Sequence, residues 1–322
     1  VVIAGILLLA MIGIGLVNPA FWQPDNLFSL LRSNVIIGIM ALGVLMVMIS
    51  GGIDVSFPAF AVAAMYLTVK GMLWTGYDGV ALPFMTAATM GALFGCLNAF
   101  FVYKFRMIPL IVTLGTGSMV RGFLLGVVGT SVININKMPD VLIEFAKADV
   151  ISMTKVDGTT YGLTAMVLIY FGLAILVHLI LRYTMIGRGI YAIGGDQEAA
   201  SRAGFDLRKV IFFIYCFAGA LAGFAGLLHS SMIWLANPRD FVGLELDVIA
   251  AVVLGGASIF GGRGTVLGTM LGVFMLVMVK NSLIIMKIDT TWQRVVVGVI
   301  IVIATAVTAW RDQKRKARGD RT

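Results

Sequence analysis

Residues 33–56 read SNVIIGIMALGVLMVMISGGIDVS. The first part is an apolar run of roughly the length, about 20 residues, that a helix needs to cross the hydrocarbon of a bilayer. It stops at the pair Gly51-Gly52 and restarts after Asp54 and Ser56, where a second apolar run, Phe57 onward, begins. Apolar runs of that length, separated by short polar breaks, fix the class of the whole chain. Of 322 residues 60% are hydrophobic and 12% charged, against about 25% charged in an average soluble domain. Lipid must absorb so much apolar surface, and the chain divides by membrane span.

Working outward, spans fall near 1–17, 33–50, 57–71, 80–102, 107–128, 162–183, 210–234, 246–259, 264–285 and 291–310, which makes about ten. The expected fold is an all-α polytopic membrane protein, some of its spans short or broken, a single transmembrane domain over 1–310 with a basic tail over 311–322. The first run, Val1 to Val17, lacks a small-residue cleavage site and reads as a membrane helix trimmed at its start. The third and eighth spans are short and flanked by glycine, so each is either a crossing or a broken, re-entrant helix enclosed by protein.

The net charge of +8 comes from basic residues dispersed in short loops and in the tail Arg311, Lys314, Arg315, Lys316, Arg318 and Arg321. That is a membrane-orientation pattern and not a nucleic-acid patch. Ten crossings place the tail and the loops holding Lys104, Arg106, Arg182, Arg188, Arg202, Arg208, Lys209 and Arg263 inside. Both termini are then cytoplasmic. The longest break, Thr130 to Tyr161 with its DGT turn, falls outside as surface structure or a partner contact. Small residues spaced by four, Gly91/Gly95, Gly122/Gly126, Gly219/Gly223 and Gly264/Gly268/Gly272, predict close helix packing.

Little here does covalent chemistry. His178 and His229 lie singly on apolar runs without carboxylate or thiol at metal-ligand spacing, and Cys96 and Cys216 read as small hydrophobes. No catalytic and no metal-ligating residue is assigned. The phosphate-loop pattern G-x-x-x-x-G-K-[ST] does not occur, so nucleotide energy has to come from a partner. Carboxylates are also scarce in the spans, whereas ion-coupled carriers commonly place ionisable groups at membrane depth.

A few polar residues remain for a solute pathway. Asp54 either caps the helix that follows the glycine pair or is a polar point on the route. Arg121 shares a helix face with Thr113 and Gly117 and either snorkels to the outer interface or donates to substrate hydroxyls. Asn98 suits an interhelical hydrogen bond or the same pathway. On the cytoplasmic side, within about 187–209, Asp196 is a good N-cap, the residues after it favour helix, and Gly204 is a good stop. The result is about two turns of helix, too short to stand alone, with Glu198 and Arg202 beside small alanines as a compact docking surface.

Three collinear segments carry a resemblance: Gly51-Gly52-Ile53-Asp54-Val55-Ser56, then Tyr191-Ala192-Ile193-Gly194-Gly195 through Gly204, then Ile249 to Gly256 followed by Gly261-Gly262-Arg263-Gly264. Together they resemble the permeases of ribose-type sugar ATP-binding-cassette importers, within the wider ribose and branched-chain amino acid permease group. Glu198, Ala199, Ala200 and Gly204 meet the spacing E-A-A, three residues, Gly of importer coupling loops. The usual later Ile-x-Leu-Pro is not kept, because Tyr215-Cys216-Phe217 follows Ile214.

The resemblance implies a multi-pass inner-membrane permease that imports a sugar or sugar-like solute. It implies coupling to an ATPase through Asp196, Glu198, Ala199, Ala200, Arg202 and Gly204, with ATP and Mg2+ held by that partner and no cofactor in this chain. Its other implied partners are a second permease copy or homologue and an extracytoplasmic solute-binding protein. A secondary transporter or channel is the rival class, and nucleosides or autoinducer-type molecules are rival solutes.

Overall fold

The computed structural model describes residues 2–154 and 160–286, with isolated positions between 289 and 302. The expected span 291–310 and the tail 311–322 therefore fall outside the continuously described residues.

Helix α1 (Val2–Val17) leads through a short 3-10 turn, Pro19–Trp22, into α2 (Pro24–Ile49). Then come α3 (Phe57–Thr75), α4 (Ala81–Lys104) and α5 (Pro109–Phe123), the last extended by a π turn over Leu124–Val128. Pro24, Pro58 and Pro109 stand in the first turns of α2, α3 and α5, where the missing amide hydrogen costs no helical bond. After the long break and its short α6 (Asp140–Lys147), α7 (Met166–Tyr183) runs into α8 (Met185–Gly195) and α9 (Gln197–Arg202). The chain continues with α10 (Leu207–Ile233), α11 (Leu244–Leu254) and α12 (Val266–Ile285).

Seven of these helices are long and apolar enough to cross a membrane: α2, α3, α4, α5 with its π turn, α7, α10 and α12. Helices suit that solvent because each backbone donor finds its acceptor within the segment. Large apolar side chains stay exposed on them, Leu93 at 63%, Leu114 at 54% and Ile175 at 60%, which is the surface lipid covers.

Three expectations need correction. The fold is not wholly helical: β1 (Asp149–Thr154) and β2 (Thr160–Thr164) pair antiparallel, with Ile151 opposite Leu163 and Met153 opposite Tyr161. The span expected from 162 therefore starts at Met166, because the residues before it are strand. Helix α2 begins well before residue 33, its polar first turns being matched by protein. Asn26 Nδ2 donates to Phe21 O at 2.9 Å and Arg32 Nη2 to Met232 O at 2.9 Å. The eighth span, read from sequence as either a crossing or a broken helix, is only partly helix. The 11 residues of α11 rise about 16 Å, roughly half of a hydrocarbon core, and the chain goes on as an irregular segment over 255–265.

The core is built on α2 and α10. Every residue of α2 from Asn34 to Ile49 except Ile37 is buried, as in a helix that neighbours enclose on all sides. Helix α10 packs along α4, α3 and α2. The small-residue spacings of α4 and α10 face one another: a Cβ on Gly91 would lie 2.0 Å from Gly219 O, and one on Gly95 2.0 Å from Tyr215 O. Gly272 likewise meets Ala251 O, which seats α12 against α11. Gly122 and Gly126 have nothing within 4 Å, so the packing expected of that pair does not occur among the described residues.

Two ends can be told apart by contacts. At the first, Asn281 Nδ2 donates to Asn26 Oδ1 at 2.7 Å, Lys280 pairs with Asp247, and Tyr66 donates to Ser131 O at 2.7 Å. The second holds the 50–56 break, the turn between α4 and α5, α8, α9 and the start of α12.

Candidate functional site

The three motif segments are far apart in sequence and meet at the second end. Gly262 N donates to Ile49 O at 2.8 Å, joining the α11–α12 segment to the end of α2. The last turn of α8 is wedged against both, since a Cβ on Gly194 would lie 1.8 Å from Ile49 O and 2.5 Å from Gly262 N. Only glycine permits that approach. Tyr191 completes the junction by donating its hydroxyl to Gly264 O at 2.8 Å.

Directly after this junction comes α9. The carboxylate of Asp196 accepts from Ala199 N at 2.9 Å, which caps α9, and that bond holds the acid below its usual range. Gly204 ends the helix with φ +89°, its neighbour Phe205 N donating back to Ala200 O at 3.2 Å. Ala200 is buried against the body while Asp196, Glu198, Ala199, Arg202 and Gly204 are exposed. The capped, glycine-stopped two-turn helix read from sequence is thus present. What the sequence reading did not find is α8, whose glycines 187, 189, 194 and 195 weaken any propensity argument.

A cavity of about 720 Å³ opens beside α9, lined by Glu198, Ser201, Arg208, Tyr103, Arg106 and Gly52, and by Tyr215 and Pro109, which lie against Gly52. The 50–56 break also carries a buried hydrogen-bonded chain. Asp54 Oδ1 accepts from Ser56 N at 2.7 Å and from Ser56 Oγ at 2.6 Å; Asn98 Nδ2 donates to Ser56 Oγ at 2.8 Å; Thr116 Oγ1 donates to Asn98 Oδ1 at 2.6 Å. Thr113 Oγ1 accepts from Val55 N at 3.3 Å and donates to Ile53 O. Asp54, Asn98 and Thr113 are therefore brought together, all buried, and they tie the α2–α3 break to α4 and α5. Ser56, which the sequence offered only within the motif at the helix start, and Thr116 belong to the same chain; Thr116 escaped the sequence reading, although it is only one turn from Thr113.

Arg121 is not part of it. It lies two turns further along α5, toward the first end, where Glu245 is the acidic group that acts on it. His229 is not alone, since the 234–241 turn brings Asp240 Oδ2 to 3.7 Å from its Nε2 and Phe241 against its ring at 4.7 Å. Cys96 and Cys216 face each other across the α4–α10 contact, both as free thiols. Among the described residues no group of three or more metal-ligating side chains gathers.

The family model for "Branched-chain amino acid transport system / permease component" matches residues 26–305. The chain belongs to this permease family. It is 34% identical to the ribose import permease protein RbsC of Bacillus subtilis, over 97% of this chain and 92% of that protein. Against RbsC of Escherichia coli K12 the identity is 30%, over 94% and 91%. Against the L-arabinose ABC transporter permease protein AraH of Azospirillum brasilense it is 29%, over 94% and 86%. No solved structure matches the chain. A permease of this family with seven long apolar helices is a multi-pass inner-membrane protein.

Proposed function

We propose that this chain is the membrane-spanning permease subunit of an ATP-driven importer for a sugar or sugar-like solute. The observation that carries the reading is the exposed helix α9, capped by Asp196 and stopped by Gly204, standing on the junction of the three motif segments. Near-full-length similarity to ribose and arabinose permeases supports a sugar as the cargo.

In this reading Asp196, Glu198, Ala199, Ala200, Arg202 and Gly204 form the contact with a cytoplasmic ATPase, which holds ATP and Mg2+. A second permease copy or homologue completes the pathway, and an extracytoplasmic solute-binding protein delivers the cargo. Arg121, near the first-end terminus of α5, and the Asp54–Asn98–Thr113 group mark the solute route through one subunit. Transport is a shift between two arrangements of the helices, biased by closure of the ATPase pair.

Ten crossings with both ends cytoplasmic fit the contacts. Counting α1 to α12, with α11 continued across by 255–265, leaves the chain at the first end after α12; one more crossing over 291–310 returns the basic tail to the side of α9. The test is reconstitution. The chain, co-expressed with a partner ATPase and a solute-binding protein, is expected to import labelled pentose into ATP-loaded proteoliposomes, and to do nothing when the ATPase is left out. Uptake by the chain alone would overturn the reading in favour of a secondary carrier.

A further inference from the structure

We propose that Tyr191 is a positioning residue for coupling: with the glycine junction it braces, it carries displacement of α9 into segment 258–264 and so into α12. The proposal rests on the importer reading above and adds the route by which the coupling helix reaches the spans.

Helices α8 and α9 share one residue, Asp196, as the C-cap of the first and the N-cap of the second. Any push on α9 is therefore delivered to the last turn of α8. That turn has no slack, because Gly194 is in backbone contact with Ile49 and Gly262, and Gly261 with Gly51. Close-packed backbone transmits displacement instead of absorbing it. One turn before Gly194 on the same side of α8, the Tyr191 hydroxyl donates to Gly264 O, the side-chain hydrogen bond that ties α8 to the residue just before the N-cap of α12. Burial raises the phenol's pKa, so it stays a donor across the working pH range.

Space for movement lies next to that bond. A cavity of about 220 Å³ is lined by His178, Leu181, Arg182, Tyr191, Thr265 and Val266. The residues it borders are the N-cap and first residue of α12, Thr265 and Val266. The junction is thus closely packed at Gly194 and has room beside Tyr191 and Thr265, which is what a lever arm requires. The two left-handed glycines, Gly261 at φ +89° and Gly262 at φ +73°, form the turn through which 258–264 would pivot.

The experiment uses the complete complex, permease with ATPase and binding protein, in proteoliposomes. Tyr191→Phe keeps the ring and removes only the donor. The variant is expected to co-purify with the ATPase and to hydrolyse ATP, while sugar imported per ATP falls about two- to tenfold, the range for one hydrogen bond. Amide exchange gives an independent readout. In the wild type, binding of a non-hydrolysable ATP analogue should change exchange in both 197–204 and 258–266; in Tyr191→Phe the first change persists and the second shrinks. Gly262→Ala tests the link from its other side. Its Cβ meets nothing closer than 3.4 Å, so it disturbs the turn's backbone and not the packing, and it should give the same uncoupling.

A wild-type ratio of sugar to ATP in both variants, or a wild type with no nucleotide-dependent change in 258–266, overturns the proposal. Failure of the importer reading is a different result, namely a wild-type complex with no ATP-dependent uptake at all.

Discussion

Gly204 shows how much one residue decides. It adopts φ +89° in open space, with nothing within 4 Å of where a Cβ would stand. Substitution there meets backbone strain alone, and for a β-branched residue that is on the order of 1–3 kcal/mol. Gly204→Val is expected to weaken ATPase co-purification and sugar uptake together while the spans stay inserted, measured by pull-down and by transport. Asp196 adds a pH dependence. The Ala199 amide holds its folded pKa below the ordinary 3.8, so its contribution is complete above that value and is lost as pH falls through the lower, folded one. Exchange protection of 197–204 should be constant from neutral pH down to about 4 and decline below it, whereas Asp196→Asn should keep the cap without the decline. Asn98 is the hub of the buried chain, donating to Ser56 and accepting from Thr116. The Ser56 hydroxyl already gives its hydrogen to Asp54, so Asn98→Asp would oppose two acceptors. It should cost on the order of 1–3 kcal/mol, more than Asn98→Ala, read as a fall in Tm of the detergent-purified protein.

At the scale of elements, glycine sets the distance between helices. Gly91 and Gly219 each come within about two ångströms, measured from an added Cβ, of the other's carbonyl oxygen, at 2.0 and 2.2 Å. Because both partners are backbone, neither can rotate away. Gly91→Ala should force α4 and α10 apart at a cost of about 1–3 kcal/mol. Gly122→Ala on α5 meets nothing within 4 Å and should be neutral or stabilising by about 0.5–1 kcal/mol. Thermal unfolding of the two variants side by side checks the contrast. Spacing by four was visible in both cases. Which pair finds a partner depends on the face each helix turns inward, and sequence spacing does not say. The same holds for α11: its short, glycine-flanked run left a crossing and a broken helix both open, and in the structure the helix ends at Gly255, which packs against Gly268 of α12.

For the molecule as a whole, the prediction is sidedness. A cysteine placed at Ala148 should react with a membrane-impermeant maleimide in intact cells, and cysteines at Arg202 or Lys316 should not. Reaction at 316 from outside would remove the tenth crossing and with it the cytoplasmic tail. The chain purified alone in lipid is expected neither to bind nor to hydrolyse ATP, which a nucleotide-binding assay decides.

The sequence by itself determined the membrane class, most of the spans, the capped helix over 197–202 and its left-handed stop. Each of these depends on apolar run length or on local backbone chemistry, which neighbours along the chain specify. Only the tertiary structure decided that residues 49–56, 191–204 and 258–264 meet, that Ser56 and Thr116 join Asp54, Asn98 and Thr113 while Arg121 stands apart, and that Asp240 reaches His229. Those are contacts between residues far apart in sequence, by more than two hundred positions in the case of Ile49 and Gly262. They depend on how helices cross in three dimensions, through glycines whose missing side chains leave no hydropathy signal.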